Sequence, residues 1–131
     1  MRARLRDDTG AAVVEFVMMS VLLVMLLLAV LQVALYFHAR NVAAASAADA
    51  ARYTAAENVD PRAGAARAEE LIEGSTRLVD VHCTSGAGRD HASGLLTSTV
   101  HCVGRVRALF LKFDLPLTID VRASALKEHV P

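Results

Sequence analysis

The sequence predicts an α+β protein in which a long N-terminal transmembrane helix continues into an extracytoplasmic domain with a short helix and a small antiparallel sheet. Three observations carry that expectation. Of 131 residues, 54% are hydrophobic, and the excess lies in one block, Phe16 to Phe37, that holds no Asp, Glu, Lys, Arg or His. Residues 39–56 then contain ten alanines and neither glycine nor proline, a composition that favours continued helix. Beyond Gly74 the apolar period changes from helical to two.

The block from Phe16 to Phe37 is 22 residues long with Ser20 and Gln32 as its clear polar interruptions. At about 1.5 Å per residue it covers roughly 33 Å, enough to cross a hydrocarbon core of about 30 Å. It exceeds the apolar region of a signal peptide, which runs about 7 to 15 residues. The small-x-small runs at Ala43–Ala45 and Ala45–Ala47 lie well past the block and suit a helix better than a cleavage site. Arg2, Arg4 and Arg6 precede the block and Arg40 and Arg52 follow it. Counting Lys and Arg on the two flanks puts the N-terminus inside and the C-terminal part outside.

One helix is therefore predicted from about Val13 to about Glu57, with Asp49 one turn from Arg52 and Tyr53. Asn58 and Val59 break it. Asp60-Pro61 opens a second helix with an N-cap residue followed by proline at the first helical position, and Gly74 ends it after Glu73. Glu69, Glu70 and Glu73 read as a solvated face of that helix.

Three strands follow. Val79, Val81 and Cys83 share a face in residues 77–84, as do Val100, Cys102 and Val106 in residues 97–107. In residues 117–125, Leu117, Ile119, Val121, Ala123 and Ala125 alternate with Thr118, Asp120, Arg122 and Ser124. This is the pattern of a small antiparallel sheet with one face buried. The glycines of TSGAGRDHASG predict a mobile loop between the first two strands. The stretch RALFLKFDLP, residues 107–116, is too apolar for a solvent loop and is expected to cover the sheet or to present a sticky surface.

The echo Val81-His82-Cys83 and Val100-His101-Cys102 invites a zinc reading, but adjacent strand residues point to opposite faces and the short ligand spacing of zinc modules is missing. A disulfide between Cys83 and Cys102 fits better, since both fall on the apolar phase of neighbouring strands; buried free thiols and a metal remain the alternatives. A disulfide requires an oxidising compartment. His82 and His101 then become exposed cross-strand neighbours.

Formal net charge is zero with no basic run and no Trp, which argues against nucleic acid as a partner. The chain shows no Ser-His-Asp pattern, no phosphate-binding glycine motif and no metal clip, so neither catalysis nor a cofactor or metal is expected.

Gly10-Ala11-Ala12-Val13-Val14-Glu15-Phe16, followed at once by the apolar block, resembles the N-terminus of type IV pilin-like proteins. The resemblance implies that a prepilin peptidase cuts between Gly10 and Ala11 on the cytoplasmic side, which makes Glu15 the fifth residue of the mature chain. LQVALYFHARNVAAASAADAARYTAA is similar to the corresponding region of TadE-like proteins, the pseudopilins of Tad (Flp) pilus assembly systems. Ala50-Ala51-Arg52-Tyr53 stands where that family carries a Gly-Ala-Arg-like motif, with Asp49 where it often has Glu. Gln32 replaces a frequent acid and Ala50 the glycine. FLKFDLPLTIDVRASA is similar to the family's apolar, proline-containing segment before a final strand. Phe16 after the glutamate, and the length of the chain, resemble a pseudopilin more than a main fibre subunit.

The resemblance implies a leader at residues 1–10, a long helix over 11–57 that includes a span at about 16–37, and an extracytoplasmic domain over 58–131. It further implies a single-pass plasma-membrane protein with Glu15 and Phe16 in assembly contacts, small residues from Ala39 to Ala51 at helix interfaces, and other pilins or pseudopilins, the Tad assembly machinery and the peptidase as partners. The competing expectation is a signal-anchored extracytoplasmic binding module in which the leader is retained and Glu15 is only an interfacial charge.

Overall fold

The computed structural model describes residues 8–56, 58–74, 78–106 and 117–127, so the whole apolar stretch 107–116 and its expected role lie outside the described residues. The elements are α1 (Asp8–Ala55), α2 (Ala63–Glu73), β1 (Leu78–Arg89), β2 (Leu96–Val106) and β3 (Leu117–Leu126). The strands form an antiparallel sheet in the order β1-β2-β3. The fold is the expected α+β arrangement of a long apolar helix, a short helix and a three-stranded sheet. Contacts divide the chain into two compact units, residues 1–34 and 35–131, and the division falls inside α1.

In the first unit α1 begins at Asp8, earlier than the expected Val13. Nothing in Thr9-Gly10-Ala11-Ala12 stops a helix: one glycine costs about 1 kcal/mol against alanine, while each added residue extends an existing nucleus. The helix is long and apolar enough to cross a membrane, and none of its most apolar stretch is buried within the protein. Phe16 is 72% exposed and Leu26 62%. A core helix would have hidden such side chains; this one leaves them for an apolar solvent.

The second unit is built on small residues. Ala39, Ala43, Ala47, Ala50, Ala51 and Ala55 of α1 are buried, together with Ser46 and Thr54. Their spacing alternates between three and four, which keeps them on one stripe of the helix. The expectation that Ala39–Ala51 serve interfaces between subunits is corrected here, because five of these alanines belong to the chain's own core with Ile72, Val100, Cys102 and Ile119. α1 ends at Ala55, where Ala56 N–H bonds Tyr53 O, and Asn58 takes a left-handed φ of 66°, a conformation Asn tolerates. The buried Thr54 hydroxyl bonds Ala50 O and meets Ser98 Oγ of β2. Both hydroxyls are thus satisfied where burial would otherwise cost about 1–3 kcal/mol each.

α2 starts at Ala63 rather than at Pro61. Its N-cap is Arg62, with no side-chain cap, and Asp60 instead closes the turn ahead of it: its Oδ1 accepts the Arg62 N–H at 2.9 Å and its carbonyl accepts the Ala63 N–H. Gly64, Ala68 and Ile72 form the buried face. Gly64 is there for space, since a Cβ would stand 3.0 Å from Thr54 Cγ2 and 3.1 Å from Val100 Cγ2.

The strands keep the predicted inward residues of β2 and β3, whereas β1 keeps Cys83 and, in part, Val81. There Leu78 and Cys83 are buried while Val79 is half-buried. The cause is a bulge between Val79 and His82, with Asp80 at φ 53°, which inserts one residue and flips the phase. Gly104 lies opposite, and a Cβ on it would meet Val81 Cγ2 at 3.4 Å. The expected mobile loop is also corrected. Gly86, Ala87, Gly88 and Arg89 pair with Thr99, Ser98, Thr97 and Leu96, leaving a tight turn in which Asp90 O accepts the Gly94 N–H at 2.8 Å and Gly94 supplies φ 69°. Cross-strand pairing has overridden the glycine punctuation.

Candidate functional site

Gly10, Val14, Met18 and Leu22 recur every fourth residue, and with Ala11, Glu15 and Met19 they line one shallow, mostly apolar face of α1. Every one of these side chains is exposed, as is Phe16 beside them. A Cβ added at Gly10 would meet nothing within 4 Å and its φ is helical, so neither packing nor backbone geometry in this chain calls for glycine. Among the described residues Glu15 has neither a hydrogen-bond nor an ion-pair partner. The two residues on which the sequence resemblance turns thus have no task inside the fold. A carboxylate on a bare apolar face can interact with a cation supplied from elsewhere, and in a low-dielectric setting that interaction is far stronger than in water.

Cys83 and Cys102 are direct partners in the β1–β2 register, with Cα atoms 4.1 Å apart and sulfurs bonded at 2.06 Å. The thiolates a zinc site needs are consumed by this bond, and His82 and His101 lie on the other face of the sheet, offset by two positions across the strands. His101 Nε2 instead stands 2.7 Å from Asp120 Oδ1 of β3. No group of three His, Cys, Asp or Glu side chains able to hold a metal occurs among the described residues.

Two features escaped sequence reasoning. Glu69, expected in a solvated face, is half-buried and its Oε1 accepts the Cys83 N–H at 2.7 Å. β1 is an edge strand, so that N–H has no ladder partner on its outer side and needs an acceptor. Ser85 Oγ, two residues along the same edge, accepts the Ala65 N–H from the first turn of α2. Only the topology, not the local pattern, reveals that α2 seals this edge. Glu70, by contrast, is exposed as expected and sits 3.3 Å from Arg67. The second missed feature is the turn at Asp90, where the Ser93 hydroxyl at 2.6 Å, followed by the Ser93 N–H, holds the carboxyl below its ordinary value.

Compared with known proteins, residues 10–52 match the family model described as TadE-like protein. The matched segment opens at Gly10, includes Glu15 and Phe16, and closes at Arg52. No curated protein and no solved structure matches the chain.

Proposed function

We propose that this chain, which is TadE-like over residues 10–52, is a pseudopilin-like structural component in the assembly of Tad (Flp, type IVb) pili, processed by a prepilin peptidase between Gly10 and Ala11. The observation that carries the reading is Glu15: a carboxylate without an internal partner, on an uncovered apolar helix, within the TadE-like segment. Counted from Ala11 it is the fifth residue, and Gly10, which the fold itself does not require, stands where the cut falls.

The physical role follows. Cleavage exposes an α-amine at Ala11. When helices of neighbouring subunits stagger, Glu15 of one neutralises that amine on another, and in the bilayer this favours packed over isolated helices because the unpaired charge is costly. Phe16 supplies apolar contact beside the pair. The chain crosses the plasma membrane once through α1, with residues 58–131 outside. The Cys83–Cys102 bond supports that orientation, since it persists in an oxidising compartment, and so does the Arg2, Arg4 and Arg6 flank. Its partners are other pilins or pseudopilins, the Tad assembly machinery and the peptidase, and its role is structural.

The test is a Glu15→Ala variant in a host that makes the pili. The chain should still be recovered from membranes with its disulfide formed, while pilus filaments are lost. Normal piliation would remove the assembly role assigned to Glu15.

A further inference from the structure

Beyond pilus assembly, we propose that the outer face of the sheet beside the β1–β2 turn is a binding site for a carboxylate-bearing saccharide. A hollow of about 500 Å³ lies there, lined by Arg89, Asp90, His91, Thr97, Thr99, Arg122 and Ser124 together with the end of β3. That volume falls within the range of small-ligand sites, about 300–1,000 Å³.

The backbone beside it is unusual for a strand pair. Gly86 and Gly88 pair with Thr99 and Thr97, where side chains would ordinarily cover the outer face. Neither glycine is forced by sterics: a Cβ on Gly86 would meet nothing within 4 Å, and one on Gly88 would make an ordinary 3.5 Å contact with Thr97 Oγ1. Neither has a positive φ. Glycine inside a strand weakens it and often marks a place where a ligand approaches the backbone closely. Here the two leave bare backbone opposite Thr99 and Thr97, whose hydroxyls line the hollow together with that of Ser124.

Charge selects the ligand. Arg89 and Arg122 have no hydrogen bond or ion pair among the described residues, whereas the nearby carboxylates are engaged, Asp90 by Ser93 and Asp120 by His101. A guanidinium presents a planar fork that matches a carboxylate, and His91 adds a further donor. The lining hydroxyls of Thr97, Thr99 and Ser124 suit the hydroxyls of a sugar ring. The lining holds no aromatic side chain, which disfavours a nucleobase, whose recognition relies on stacking.

The experiment uses the full chain in detergent micelles and calorimetric titration with a galacturonate oligosaccharide, its neutral galactose counterpart and inorganic phosphate. The acidic oligosaccharide should bind, with the neutral one weaker by about tenfold or more, the scale of one charged hydrogen-bonded pair. Arg122→Gln, at an exposed position, should weaken binding by about the same factor. Gly88→Val keeps every charge but sets a branched side chain against Thr97 at the rim of the hollow; it should weaken binding by about tenfold while leaving the melting temperature unchanged or raised. Equal binding of the neutral sugar, full displacement by an equal concentration of phosphate, or unaltered affinity in folded Gly88→Val protein would each overturn the proposal.

Discussion

The two stretches of α1 invert the usual relation between size and burial. From Phe16 to Leu31 the helix carries Leu, Met, Val and Phe side chains that are largely exposed; from Ala39 to Ala55 one stripe of alanines, Ala39, Ala43, Ala47, Ala50, Ala51 and Ala55, is almost completely hidden. One continuous helix is therefore written for two solvents. Bulky apolar groups gain most when lipid receives them, by about 0.3 to 0.6 kcal/mol per residue at the centre of a span for Leu, Ile, Phe or Val. A sheet receives a helix closely only if the contacting residues are small, and there alanine gives close contact at little loss of side-chain entropy. A small unit with an alanine-rich core buries few large groups, and it compensates with a disulfide, a sealed strand edge and satisfied internal hydroxyls.

Perturbations of the two stretches should separate cleanly. The largest effect belongs to the disulfide. Replacing Cys83 and Cys102 together by alanine frees a loop with a sequence separation of 19 and should cost the 35–131 unit about 3 kcal/mol. It would be read as a lower denaturant midpoint for that unit, with the first stretch still inserted in membranes. An unchanged midpoint would mean that the core is sufficient without the bond.

Next comes size. Ala47 is 0% exposed, so Ala47→Leu should overpack the core and lower stability by about 1–3 kcal/mol. Leu26→Ala, at a 62% exposed position, should leave the same transition untouched and only weaken membrane insertion slightly. Equal responses to the two substitutions would erase the distinction between the stretches.

A smaller effect is expected at the edge of β1. Glu69→Ala leaves the Cys83 N–H without its acceptor and should cost about 1–2 kcal/mol, whereas Glu69→Gln, which retains a carbonyl oxygen, should recover most of it. Hydrogen exchange at the Cys83 amide reads this directly.

The smallest effect is one of pH. The Ser93 hydroxyl and N–H hold Asp90 below its ordinary value of 3.8, so the folded state binds its proton later than the unfolded chain. The contribution is fully present above 3.8 and is lost as pH falls through the lower folded value. Because the group is exposed, the change should be local. Exchange at the Gly94 amide should accelerate in that acid range, and Ser93→Ala, which removes the hydroxyl but keeps the backbone N–H, should move that change to higher pH, toward 3.8.

Much of this was legible in the residues themselves. Phe16–Phe37 announced a span because no charge interrupts it, and the strict alternation from Leu117 to Ala125 identified β3 and its inward face. What escaped has a common physical cause. A bulge at Asp80 depends on one left-handed residue, which a two-residue period cannot register. The strand over Gly86–Arg89 depends on partners at Leu96–Thr99 that outweigh local propensity. Glu69 looked like an ordinary surface acid because the N–H it satisfies belongs to an edge that exists only once the sheet has formed. Gly10 and Glu15 were conspicuous for the opposite reason: the fold offers no use for either, and their spacing relative to the apolar block was the signal.

The most direct measurement on the central reading is the mass of the N-terminal peptide of the native protein, extracted from membranes of a host that contains the peptidase. The expected chain begins at Ala11, with Glu15 as its fifth residue. A chain that retains residues 1–10 would contradict it.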